Sequence, residues 1–342
     1  MSAQSTETLC HDPLRRFLAG MPLNRRAICA CLAALGAAWA PALSGASYKG
    51  AISTDAATGA VLYESNADAV SPPASMTKLM TFAVVDDEIK KGTLSLDTQV
   101  TVTRETARVA AFKDSTEVWL RQGEVFSVRE LIYAMMIQSA NDAAYALAQR
   151  VGGTAADFVT MMNAKAKALG MVHTTFRSPH GFPPPSRRIA DGDLTTPRDY
   201  ALLCRYLIQR TEVLTYTSVK NRAFGAGIRL KATEMSNHNN LLGKCPGVDG
   251  LKTGFTNGAG FCISATAQRD GRRVIVVVMD SPDQRTRDLN TKDLIEQAFI
   301  RLPLGAVSFP ANAEVPAAPT RPSPTPSPTE GPVIHMPRPG GN

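Results

Sequence analysis

The 342-residue sequence is poor in the side chains that hold metals and disulfide frameworks. Of its six cysteines, Cys10, Cys29 and Cys31 fall within the first 46 residues, ahead of the part that reads as folded. Cys204, Cys245 and Cys262 remain, odd in number and irregular in spacing, which excludes a disulfide scaffold. One bridge is allowed, but three buried or free thiols are the simpler expectation. There is no CxxC, no HExxH and no comparable cluster, so neither a metal nor another cofactor is expected. Blocks of lysine and arginine are also missing. The formal net charge is +7, four of the arginines (Arg15, Arg16, Arg25, Arg26) sit near the start, and no basic block follows. That excludes a nucleic-acid face and leaves at most a mild attraction to an anionic wall or membrane surface. After residue 46 no apolar run approaches the roughly 20 residues that a spanning helix needs.

The two ends differ from the middle. "MPLNRRAICACLAALGAAWAPALSGAS" has a basic start, an apolar run from Ala27 to Ala40, and small residues Ser44 and Ala46 before a cut ahead of Ser47. This is the pattern of an export leader, residues 1–46, which places the mature chain in the periplasm or cell envelope. Left uncut, it would instead tie the chain to the membrane. From residue 305 to 342 the sequence is rich in Pro, Ser and Thr without apolar periodicity, which predicts a disordered tail. Residues 47–304 are the expected folded unit. With 44% hydrophobic and 20% charged residues, the chain has an ordinary globular composition.

That unit opens with "GAIST", a turn at "DAATG", and "AVLYE", the signature of a hairpin. Met76, Leu79, Met80, Ala83 and Val84 repeat with helical spacing and predict a helix with one buried face. "SVRELIYAMMIQ" and "NDAAYALAQRV" read as two helices broken at "SAND", and "DFVTMMNAKAKALGM" as a third ended by Gly170. "TTPRDYALLCRYLIQR" is a fourth, with Thr196 as N-cap and Pro197 in the first helical position. "GFCISATA", the turn "RDG" and "RRVIVVVMD" form the clearest hairpin, and "DQRTRDLNTKDLIEQAF" is a closing helix. Strands at both ends with helices between predict an α/β or α+β domain, a mostly antiparallel sheet flanked by helices.

The chemistry begins at "SPPASMTKLMT". Ser75 and Lys78 lie three apart at the head of a helix and so share a face. A serine hydroxyl needs a base beside it, and free backbone N–H groups at a helix start favour a developing oxyanion. Lysine is a usable base only when burial or a second cation lowers its pKa from about 10.4. Alone, SxxK arises by chance about once in a chain of this length. Two further stretches change its weight. "SAND" puts Ser139 and Asn141 at a break between helices. "DGLKTGFTNGAGFC" puts Lys252, Thr253 and Gly254 just before a strand, with Lys252 as the second cation and Gly254 allowing close approach of backbone.

SxxK, SxN and KTG in that order are the set found in penicillin-binding proteins and class A β-lactamases. With "DAATGAVLYESNAD", "SPHGF" and "GVDGLKTGFTNGAGFCISATA", the chain resembles the serine-type D-alanyl-D-alanine carboxypeptidases, low-molecular-mass penicillin-binding proteins, over almost all of residues 47–299. The resemblance implies the penicillin-binding-protein/β-lactamase-like transpeptidase fold with a helical subdomain. It also implies Ser75 as nucleophile, Lys78 as its base, Ser139 as proton relay, Asn141 on the substrate amide and Lys252 tuning the pocket. Thr253 would bind the substrate carboxylate with Gly254 beside it, the N–H groups of Ser75 and Phe255 would form the oxyanion hole, and Arg287 would help hold the carboxylate. The implied partners are peptidoglycan stem peptides and, as acylating inhibitors, β-lactam antibiotics. Phe255 and His238 stand where many relatives carry histidine and arginine.

Four other readings compete. A D,D-endopeptidase would use the same motifs. A β-lactamase of class A needs a deacylating glutamate in an ExxLN-like segment, which is missing between Asn141 and Lys252. A His-based hydrolase would draw on His173, His180 or His238, but there is no GxSxG elbow. A non-catalytic wall-binding module would have no need to keep Ser75 and both lysines.

Overall fold

The computed structural model describes residues 47–111 and 115–302; the leader and the Pro-rich tail expected from the sequence lie outside the described residues. The five-stranded sheet at its centre has the order β2-β1-β9-β8-β7. Its strands are β1 (Gly50–Asp55), β2 (Val61–Ser65), β7 (Val248–Thr256), β8 (Gly260–Arg269) and β9 (Arg272–Ser281). Every neighbouring pair is antiparallel. Two small hairpins stand apart, β3 (Gln99–Thr101) with β4 (Val125–Ser127) and β5 (Asn221–Phe224) with β6 (Thr233–Ser236).

The β8–β9 hairpin is joined by Asp270 and Gly271, both at positive φ (49° and 74°). This is the two-residue geometry whose twist matches the flanking strands. Pairing of Ala265 with Val276 and of Ala51 with Val278 sets the register of the two faces. Val274, Val276 and Val278 face one core, and Ile275, Val277 and Met279 face the other. The uninterrupted apolar run of β9 is thus the signature of a strand covered on both sides.

Among the described residues eight α-helices accompany the sheet: α1 (Lys78–Lys90), α2 (Arg104–Val109), α3 (Val128–Tyr133), α4 (Asn141–Gly152), α5 (Ala155–Ala168), α6 (Pro197–Arg210), α7 (Val213–Thr217) and α8 (Gln284–Arg301). α8, capped by Asp283 accepting from the Thr286 N–H, lays Leu294, Ile295, Ala298 and Phe299 on one face. The others gather on the opposite face. The expected cap of α6 is present, with the Thr196 side chain accepting from the Asp199 N–H at 3.2 Å.

α1 departs from expectation. It was to have one buried face, yet every residue from Lys78 to Val85 is buried. The spacing marked the apolar contacts correctly, and Lys78 and Thr81, outside that apolar set, are covered as well, by a loop whose backbone they bind. Thr81 Oγ1 donates to the Pro179 carbonyl at 2.6 Å, and Lys78 Nζ to that of His180 at 2.7 Å. The three thiols are buried and free, as the spacing suggested.

Candidate active site

Ser75 lies in a 3-10 turn, Ala74–Thr77, that leads directly into α1. Pro72 and Pro73 prevent an earlier start, and the Pro73 carbonyl accepts from the Met76 N–H at 3.1 Å. Lys78, the first residue of α1, is wholly buried. Its Nζ contacts Ser75 Oγ at 3.0 Å, Asn141 Oδ1 at 2.6 Å and the His180 carbonyl at 2.7 Å. All three partners are neutral, and among the described residues no carboxylate touches the amine. Burial and the nearby charge of Lys252 together push the Lys78 pKa well below that of a free lysine, against a smaller pull from Asp193 and Asp142. A lysine that gives up its proton this easily can receive one from Ser75 Oγ across the same 3.0 Å contact.

The SAND stretch is built as a break. Ala134–Gln138 forms one π-helical turn, and Ser139 closes it in the left-handed conformation, φ 63°. Asn141 then begins α4. Its Oδ1 faces Lys78, and its Nδ2 donates to Ser115 Oγ at 2.7 Å. Lysine offers only donors, so that contact fixes which way the amide points. Ser139 is buried two residues ahead of Asn141.

β7 carries the third motif past the Ser75 turn. A methyl group on Gly254 would sit 2.6 Å from the Pro73 carbonyl oxygen and 3.1 Å from the Ser75 nitrogen, so only glycine lets strand and turn approach this closely. Lys252 and Thr253 are buried, while Phe255 is 50% exposed and stacks on Phe261 at 4.2 Å. Burial, helped by Arg287, brings the Lys252 pKa down to about 7. Arg287 is only 3% exposed, so it is not a solvated helix arginine. Its Nε and Nη2 donate to Asp288 Oδ1 at 2.9 and 2.6 Å. His238 is lowered to about 4 by burial and then by Lys252, Lys78 and Arg287. His180 is lowered to about 3, by burial and then Lys78. Both imidazoles are neutral at pH 7, and His180 Nδ1 accepts from the Phe182 N–H at 3.1 Å, as a structural histidine does.

The structure thus joins Ser75, Lys78 and Asn141 by direct hydrogen bonds, packs Gly254 against the turn, and brings the charges of Lys252 and Arg287 to bear. Sequence reasoning missed the acids behind them. Asp142 accepts from the N–H groups of Val118 and Leu120 (3.3 and 2.9 Å) and so holds the segment that carries Ser115. Asp193 does the same for the SPHG loop. Neither falls in a recognisable spacing, although Asp142 is the last letter of SAND.

A family profile described as D-alanyl-D-alanine carboxypeptidase matches residues 39–283. The chain belongs to this family, peptidase family S11. Within it, the chain is similar to the D-alanyl-D-alanine carboxypeptidase DacC of Escherichia coli K12, 36% identical over 72% of this chain and 59% of that protein. It is also similar to DacF of Bacillus subtilis, 31% identical over 73% of this chain and 62% of the relative. The chain therefore spans about three fifths of the length of these relatives. Among solved S11-like structures, penicillin-binding protein D2 of Listeria monocytogenes, in its ampicillin-bound form, superposes with a TM-score of 0.64 at 36% identity, covering 74% of this chain and 97% of that one. Penicillin binding protein 5 of Haemophilus influenzae gives a TM-score of 0.68 at 31% identity, covering 75% and 72%. The expected fold, an antiparallel sheet flanked by helices in the penicillin-binding-protein class, is the observed one.

Proposed function

We propose that the protein is a serine D-alanyl-D-alanine carboxypeptidase that removes the terminal D-alanine from peptidoglycan stem pentapeptides. The observation that carries this reading is the wholly buried Lys78 amine, 3.0 Å from Ser75 Oγ and, among the described residues, without a carboxylate contact. Family membership supplies the substrate class.

Ser75 Oγ attacks the carbonyl carbon of the penultimate D-alanine and passes its proton to Lys78. The oxyanion is received by the N–H groups of Ser75 and Phe255, a reading supported by the close approach of Gly254, the residue before Phe255, to the Ser75 turn. Asn141 holds the substrate amide, and Ser139 passes a proton to the leaving amine. D-Alanine departs, and water releases the shortened peptide from Ser75. Thr253, Lys252 and Arg287 hold the free carboxylate of the substrate, so the enzyme selects chain ends. β-Lactams, which present the same carboxylate next to a strained amide, acylate Ser75. In this reading the leader exports the chain, and its product works in the periplasm or cell envelope. Among the described residues no helix is long and apolar enough to cross a membrane.

The test is release of free D-alanine from a stem pentapeptide by the wild type and by Ser75→Ala. Release by the first alone supports the carboxypeptidase and its nucleophile together. A folded wild type that releases none, yet cuts cross-linked dimers, would replace this reading with a D,D-endopeptidase.

A further inference from the structure

We propose that Asp193 is a positioning residue for the Ser75–Lys78 pair: its buried carboxylate locks the loop that holds Lys78 and supplies the negative charge that stabilises Lys78 once it has taken the serine proton. The proposal rests on the reading of Lys78 as base.

Asp193 is 6% exposed. Its Oδ2 accepts from Thr77 Oγ1 at 2.7 Å and Ser178 Oγ at 3.2 Å, and its Oδ1 from the N–H groups of Arg177 and Ser178 at 2.6 and 3.0 Å. Thr77 directly precedes Lys78. Ser178 lies two residues before His180, whose carbonyl accepts from Lys78 Nζ. One carboxylate therefore grips the lysine from both sides, through the start of α1 and through the loop laid across it.

An asparagine could accept from the two backbone N–H groups and donate to the two hydroxyls, if these turned to accept. The charge is what asparagine would lack, and the surroundings give it a use. Among the described residues Asp193 forms no ion pair, and Lys78 contacts only neutral acceptors. Burial raises the Asp193 pKa above that of an ordinary carboxylate, and its four donors pull the other way, towards the ionised acid. Around Lys78 stand Lys252 on β7, which repels its proton, Asp142 on α4, which attracts it, and the neutral imidazoles of His180 and His238. Arg287 on α8 acts on Lys252 and His238. The Tyr200 phenol on α6 faces Asp193 and stays protonated, its pKa driven up by burial and then by Asp193. Asp142 shares the task, but its charge is also felt by Arg229. Without Asp193, burial and Lys252 would make Lys78 a weaker base for the proton that leaves Ser75 Oγ as the acyl bond forms.

The experiment is the rate of Ser75 acylation by benzylpenicillin from pH 5 to 10, for wild type and Asp193→Asn, with the thermal midpoint of each. The hydroxyls of Thr77 and Ser178 can accept as well as donate, so asparagine can keep the contacts while losing the charge. The expected result is a midpoint close to wild type and an acid limb moved about one unit to lower pH. The plateau falls about threefold, because the base is weaker. The two profiles then cross. A uniform slowing with the limb in place would overturn the proposal and leave Asp193 structural. So would an equal shift in Ser178→Ala, which loses the longest contact and keeps the charge. If Asp193→Asn does not fold, a carbon-13 titration of the Asp193 carboxyl in wild type and Lys78→Met decides the matter. The carboxyl pKa should rise when the lysine is gone, and identical titrations would overturn the coupling. A wild type that benzylpenicillin never acylates would sink the functional reading instead, and the titration would still judge the coupling.

Discussion

α1 and α8 pack on opposite faces of the sheet, and each brings a buried cation to bear on the same cluster of charges, but the two cations are compensated in opposite ways. Arg287 on α8 is paired with the residue beside it, Asp288. Lys78 on α1 touches a hydroxyl, an amide and a carbonyl, all neutral, and its nearby carboxylates act from a distance. A cation that only has to hold an anion can be paired in advance, since a guanidinium keeps its proton in any protein environment. A cation that must lose its proton cannot sit in contact with a carboxylate. The contact would hold the proton on at neutral pH, and the amine would have no free lone pair to receive another.

The comparison is broken most severely by Lys78→Met, which keeps the length and burial of the side chain and removes the amine. Acylation of Ser75 by benzylpenicillin should fall about 10³-fold, the usual worth of a general base. A fall of less than tenfold would mean that another group takes the proton. Arg287→Ala should act on binding more than on chemistry. The KM of a peptide with a free terminal carboxylate should rise about tenfold, equivalent to about 1.4 kcal/mol, with kcat changed less. An equal loss in kcat would place Arg287 in the chemical step. Smallest is the effect on stability. The folded pKa of Lys252 is about 7, below its unfolded value, so between these values the unfolded chain binds more protons and stability rises with pH. The burial of Cys204 and Cys262, both raised to about 12, works the other way once unfolded thiols ionise near pH 8.5. Thermal midpoints should therefore climb from pH 7 to 8, and Lys252→Met should flatten that climb. A slope unchanged by the substitution would show that Lys252 is not the group responsible.

Much of this was legible because it was local. The β8–β9 hairpin could be placed from "RDG" between two apolar runs, the cap of α6 from Thr196-Pro197, and the three motifs from residues at most three apart. What escaped depends on partners far away in the chain. Asp193 meets Thr77 across 116 positions, and nothing in "DGD" announces it. The loop that covers Lys78 and Thr81 comes about a hundred residues later, and the pattern of the helix alone does not announce it. The π turn before Ser139 has no periodicity of its own; its apolar residues read as ordinary helix. The β3–β4 and β5–β6 hairpins have strands of three or four residues, too short for alternation to register.

The Ser75 turn lies between two glycines. On one side Gly254 of β7 leaves no room for a side chain against the Pro73 carbonyl. On the other, any side chain at Gly181, which is also held at φ 78°, would collide with the Ala74 carbonyl oxygen. Backbone meets backbone on both flanks, and neither neighbour can yield by turning a rotamer. For a lineage under pressure to slow the acylation of Ser75, these two positions are closed: a change there costs the fold along with the reaction. Variation has to enter at the rim, where half-exposed Phe255 can be exchanged without shifting the main chain behind it.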